Sequence, residues 1–137
     1  MADLTITAAN VLQSTGSQVR TGTAGATITA GQVVYVDASA ANVLKLSDTD
    51  ASAAAANAVG IALHGASSGQ PLDYQVSGNI TIGATVAVGE VYVGSGTAGG
   101  IAPVADLATA DYTTVIGVGI TTAIIKMGIL HGGVAKA

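Results

Sequence analysis

The 137-residue chain has no cysteine, phenylalanine or tryptophan, and very little charge of either sign. Without cysteine there are no disulfides, no thiolate zinc sites and no cysteine nucleophile, and the redox compartment is left undetermined. Without Phe or Trp, any core must be filled by Ala, Val, Ile and Leu, each buried Val, Leu or Ile contributing roughly 1.5 to 3 kcal/mol. Many small contacts must replace a few large ones, and oligomerisation is expected to add to them. Charged residues make up 9% of the chain, against about 25% in an average soluble domain. Arg20, Lys45, Lys126 and Lys136 are the whole basic set, and the net charge is −4. No basic stripe or stacking aromatic cluster offers the phosphate neutralisation that nucleic-acid binding needs. The most hydrophobic stretch, Val115 to Leu130, is interrupted by Thr121, Thr122 and Lys126 and is shorter than the roughly 20 apolar residues of a membrane helix. It reads as two strands, and no membrane partner is expected. Met1 to Thr5 shows no basic segment leading into an apolar one, so synthesis in a cytoplasm is the expectation.

What is present is β-branched. Short runs punctuated by Gly, Asn, Asp and Ser recur from end to end: Gln32 to Val36, Asn42 to Leu46, Val59 to Leu63, Leu72 to Val76, Asn79 to Ile82, Thr85 to Val93, Val115 to Ile120 and Ala123 to Leu130. Such runs predict strands joined by tight turns. Leu44 and Leu46 flank Lys45, and Leu72, Tyr74 and Val76 flank Asp73 and Gln75, so each of these strands should present one buried and one wet face. Two segments compete with the β reading, Asp48 to Ala58 and Pro103 to Asp111. Their composition allows short helices, but neither has a large apolar stripe.

The chain also echoes itself. Val34-Tyr35-Val36 followed by Val59-Gly60-Ile61-Ala62 is matched by Val91-Tyr92-Val93 followed by Ile116-Gly117-Val118-Gly119, with equal separations (92 − 35 = 57 and 117 − 60 = 57). This predicts two similar β-layers or one pseudo-symmetric barrel, with pseudo-repeats at about 30–82 and 85–130. Residues 1–25 are rich in Thr, Ser and Gly, with sparse apolar side chains at Leu4, Ile6, Val11, Leu12 and Val19. They read as an N-terminal arm or edge strand able to add to the sheet of another subunit. Residues 26–137 then form a single all-β domain.

Chemistry-bearing patterns are few. Gly94-Ser95-Gly96-Thr97-Ala98-Gly99 has the spacing of a dinucleotide-binding turn, but Gly100-Ile101-Ala102-Pro103 cannot continue into the helix that would hold a pyrophosphate. A hairpin loop is expected. His64 and His131 each adjoin glycine at a strand end and have no evident carboxylate partner, which makes a poor metal or general-base site. Asp48-Thr49-Asp50 has a spacing found in calcium loops but lacks their Gly and distal Glu. Asn79-Ile80-Thr81 is a formal glycosylation sequon, read here as the start of a strand. No nucleophile, base and orienting group can be assembled, so no catalytic residue, metal site or cofactor is expected.

The stretches Gly31-Gln32-Val33-Val34-Tyr35-Val36-Asp37, Val43-Leu44-Lys45-Leu46, Ala58-Val59-Gly60-Ile61-Ala62 and Ser77-Gly78-Asn79-Ile80 together resemble the core pattern of tailed-bacteriophage head decoration (cement) proteins, including the lambda type, over about residues 26–82. Thr23 to Ile28 and Gly99 to Pro103 are similar to segments of small siphophage capsid proteins. The resemblance implies a compact β-barrel or β-tulip subunit and a homotrimer seated on the outside of the head. There it would bridge neighbouring major capsid protein molecules and hold the shell against internal DNA pressure. It further implies that the N-terminal arm engages the capsid, which here means Ala2 to Leu12, with Leu4, Ile6, Val11 and Leu12 as the contacting side chains. Deleting Met1 to Leu12 should then leave the domain folded but lower its occupancy on capsids. The second, repeat-like half departs from that pattern. The alternative reading is a tail-associated or fibre-tip β-domain that binds a host surface. It calls for exposed aromatics or acids, and Tyr35, Tyr74, Tyr92 and Tyr112 are the only aromatics available.

Overall fold

The computed structural model describes residues 3–137. Their strands are β1 (Leu12–Gln13), β2 (Gln18–Thr23), β3 (Val33–Asp37), β4 (Val43–Leu46), β5 (Ala58–Ala62), β6 (Pro71–Thr81), β7 (Val91–Gly94), β8 (Ile101–Pro103), β9 (Tyr112–Gly119) and β10 (Ile124–Ala135). All pairs between them are antiparallel. The protein is all-β, a single sheet curled into a half-barrel.

The order across the sheet is β4-β3-β5-β6-β10-β9-β7-β8, with β1 and β2 both paired to β6. Read from each edge inward, the first four strands and the last four repeat one layout, a hairpin, then a strand beside its first member, then a central strand. Both halves also share a bulge. In the first, Val34 faces Gly60 and Tyr35 faces Ala58, leaving Val59 unopposed. In the second, Tyr92 faces Gly117 and Val93 faces Val115, leaving Ile116 unopposed. The glycine is required at both places because a Cβ on Gly60 or Gly117 would run into the carbonyl oxygen of Gln75 or Lys126 on the adjoining strand. The two tyrosines are therefore not equivalent. The residue opposite the first glycine is Val34, one position before Tyr35, and Tyr92 is buried while Tyr35 is half-exposed.

β6 is the hub. Its first part pairs with β2 and, at Tyr74 and Gln75, with β5. Its last part pairs with β10 and, at Ile80 and Thr81, with β1. The runs Leu72 to Val76 and Asn79 to Ile82, expected as separate strands, are thus one 11-residue strand turned at Gly78, whose φ is +93°. The Cα and Cβ of Ser17 lie so close to Gly78 that a Cβ there would have no room.

The core has two parts on the two faces of the sheet. The larger contains Val33, Ile61, Ile80, Ile82, Tyr92, Ile101, Ile116 and Ile125, with Met127 and Val11. The smaller contains Val34, Leu44, Ala62, Leu72 and Tyr74, covered by Ala24, Ile28 and Ala66. The expected wet face of β6 is wet at Asp73, whose side chain is half-exposed, but not at Gln75, which is fully buried because both faces of the first half are covered there. The helix expected within Asp48 to Ala58 is one turn, α1 (Ala53–Ala56), capped by the Ser52 hydroxyl accepting from the Ala55 N–H. Pro103 to Asp111 forms only a short 3-10 turn at Val104–Asp106. In the run Thr85 to Val93, strand begins at Val91, because the backbone turns at Gly89 (φ +83°) and the Glu90 N–H bonds the Ala87 carbonyl.

Candidate functional site

The N-terminal residues, expected to form an arm, lie along the domain itself. The Ser95 hydroxyl is 2.8 Å from both carboxylate oxygens of Asp3. The Leu4 N–H donates to the Ile101 carbonyl and the Thr7 N–H to the Gly83 carbonyl, each at 2.8 Å. Leu4 and Ile6 pack against the larger core, and Val11 is part of it. Of the four side chains expected at a capsid contact, only Leu12 is strongly exposed, at 61%. It sits in β1, facing Thr81 across the pair with β6. Met1 and Ala2 lie outside the described residues.

This docking creates two shallow clefts. One, of about 260 Å³, opens between Asp3, Leu4 and Ile6 and the loops carrying Gly31, Thr97 and Gly99. The other, of about 390 Å³, is lined by Thr5, Thr7, Asn10, Thr81 and Thr85 beside Gly83 and Ala84. Neither holds a histidine, lysine or arginine, and the first holds one carboxylate, already occupied by Ser95.

The G-x-G-x-x-G segment forms the β7–β8 loop, closed by bonds from the Ser95 N–H to the Gly100 carbonyl and from the Gly100 N–H to the Thr97 carbonyl. Strand β8 follows it, so no helix N-terminus stands ready for a phosphate. The two histidines stay in separate settings. His64 Nδ1 bonds the Gly65 carbonyl at 2.9 Å, while Nε2 accepts from the Asp73 N–H at 3.0 Å, which selects the Nδ1–H tautomer. The Asp73 carboxylate stands 3.9 Å from Nε2 and also accepts from the Thr21 hydroxyl. Asp73 is thus a neighbour that sequence reading did not assign to His64. The signal was the β5–β6 pairing, which sets Ala62 opposite Tyr74 and brings residues 64 and 73 together across the connection. His131 Nδ1 lies 3.1 Å from the buried Thr114 hydroxyl, which donates to the Ala56 carbonyl.

Asp48, Asp50 and Asp111 gather beside Gly96. Burial, then the bond with Asp50 and the nearby charge of Asp111, raise the Asp48 carboxyl above its ordinary range. Among the described residues no group of three or more His, Asp or Glu side chains is placed to hold a metal ion. Asp37 and Lys45 form a half-buried ion pair at 2.9 Å. The Ser39 hydroxyl and Lys45 hold the Asp37 carboxyl below its ordinary range. These polar groups bind one another and the backbone, tying turns together. No protein-family model and no curated protein sequence matches the chain.

Proposed function

We propose that this chain is a decoration protein of a tailed-phage head, made in the host cytoplasm and bound to the outer surface of the capsid. The observation that carries the reading is that the residues resembling decoration proteins fall in β3, β4, β5 and β6, which are consecutive in the sheet and form one contiguous half of it. A chain with only 9% charged residues supports adhesion to protein neighbours by small aliphatic and hydroxyl contacts. A subunit bridging two capsid molecules must be peeled from both before they separate. An interface of standard size, about 800 Å² per partner, then gains from linkage, because a second site binds at the high effective concentration set by the first. Weak patches become a strong clamp. The homotrimer implied by the resemblance would be one way to supply that linkage.

With Leu4, Ile6 and Val11 packed at home, the capsid contact of the N-terminal segment in its docked form falls to Leu12 and the exposed rims of Thr5, Thr7 and Asn10. Electron microscopy of purified virions with a tagged copy of the chain tests the reading. Regular density on the head is expected. Density confined to the tail favours attachment to a host surface instead, and its absence from particles rejects the proposal.

A further inference from the structure

The N-terminal segment lies in a groove shaped to it. A Cβ built on Gly31 would stand 2.5 Å from Cγ2 of Ile6, one on Gly83 2.5 Å from the Thr7 carbonyl oxygen, and one on Gly100 2.6 Å from the Asp3 carboxylate. Three separate connections thus leave space for this segment and for nothing thicker. Its polar ties are few. Among the described residues, residues 3–11 reach the rest of the chain through the two backbone bonds to Ile101 and Gly83 and through the Asp3 contact with Ser95. Leu4, Ile6 and Val11 supply the apolar contact.

The segment also hangs on a turn that the sheet does not need. Gln13 pairs with Ile80 and Gln18 with Ser77 on the same edge of β6. Five steps on the near side (18 − 13) therefore answer three on β6 (80 − 77), and two residues are surplus. The surplus forms an exposed turn at Ser14–Ser17, closed by the Ser17 N–H and hydroxyl, which both donate to the Ser14 carbonyl at 3.2 and 2.7 Å. At its tip Gly16 has φ +84° and open space around it. Without two of these residues, β1 and β2 would run on along β6 in one register.

We infer that this turn is a hinge and the groove a binding site for the same segment of a second copy. Residues 3–13 swing out and seat in a neighbour's groove, and the neighbour's segment seats in theirs. The occupant follows from the groove as it stands, filled by this sequence. A second copy reproduces every contact, so exchange changes only the hinge and the association itself. A released segment also bares Leu4, Ile6 and Val11, and the matching groove is then on another copy. The tether holds the segment near its own groove at an effective concentration on the order of millimolar. Dilute chains are therefore closed, and crowded ones exchange. No capsid is required.

The absence of cysteine makes a clean test. Two single variants, Asp3→Cys with a tag and Ser95→Cys without one, are incubated together at about millimolar concentration and then oxidised. Both lose the Asp3 contact with Ser95 in closed and exchanged forms alike. Their new thiols are neighbours only where one chain's segment occupies the other's groove. Tagged-to-untagged disulfide is expected to dominate the like-with-like products and to rise with concentration. Deletion of Thr15 and Gly16 from both variants should abolish that excess, with a thermal melt to verify folding. Should the deletion fail to fold, the mixture alone decides. Sedimentation equilibrium of the unaltered chain at the same concentration should show mass above the monomer. Mixed disulfide no more abundant than the like-with-like products overturns the inference. So does an excess that survives in the folded deletion variant, or an unaltered chain that stays monomeric.

Discussion

The side-chain amide of Gln75 donates to the carbonyls of both Ser77 and Asn79, at 3.2 and 2.8 Å, spanning the turn that Gly78 makes in β6. A regular strand bonds its carbonyls outward to its neighbours. At this turn the partners of β6 change from β2 and β5 to β1 and β10, and Gln75 bonds carbonyls at the changeover from within the core. The Gln75 Oε1 atom itself is buried without a partner.

Gln75→Met keeps a similar volume and removes both donors. Loss of two hydrogen bonds to backbone is expected to cost about 2 kcal/mol. Urea denaturation measures it as a lower midpoint at unchanged slope. An unchanged midpoint would show that the amide does not hold the turn.

Tyr92, the largest fully buried side chain, places its hydroxyl 2.9 Å from the Ala87 N–H, anchoring the loop that precedes β7. Tyr92→Phe should cost about 1 kcal/mol, with faster hydrogen exchange at Ala87. Tyr92→Ala should cost about 3 to 5 kcal/mol by opening a cavity in the larger core.

Deletion of Met1 to Leu12 is expected to destabilise the domain, contrary to the expectation for a free arm. Val11 alone contributes roughly 1.5 to 3 kcal/mol when fully buried, and Leu4 and Ile6 add partial burial. Ser95→Ala is the milder test. Releasing Asp3 should speed amide exchange at Leu4 and Thr7 while leaving β6 and β10 protected. Capsid-binding assays of truncated chains therefore need a thermal melt beside them.

The acid cluster should set a pH dependence. Asp48 holds its proton more tightly in the folded chain than in the unfolded one, so its contribution is favourable below the unfolded value of about 3.9 and is lost as pH rises through the folded value. Asp48→Asn should accordingly stabilise the protein at pH 7 and have no effect at about pH 3, as read from thermal midpoints. Asp37 has the opposite sign: its lowered value stabilises above the unfolded range and that stability is lost on acidification. Asp37→Asn should therefore destabilise at pH 7 and not at low pH.

Local chemistry made the strands legible. Val33 to Val36, Val43 to Leu46 and Val115 to Gly119 are β-branched or aliphatic runs bounded by turn residues, and each folds as expected. The two Val-Tyr-Val runs aligned in sequence sit one residue out of step in the sheet, because such a run in a bulged pair can align with either side of the bulge. Gln75 was misassigned because alternation identifies the face of a residue, and a second covering layer then buries what alternation alone would leave wet.

By itself, then, the sequence determined an all-β protein with an aliphatic core and little charge, since these follow from residue type and spacing of two. Tertiary structure alone decided that Leu4, Ile6 and Val11 pack at home, that Asp73 meets His64, and that Ala24 and Ile28 cover one half. Each of these depends on contacts between segments far apart in the chain, and a sparse apolar segment carries no local mark of the surface it will cover.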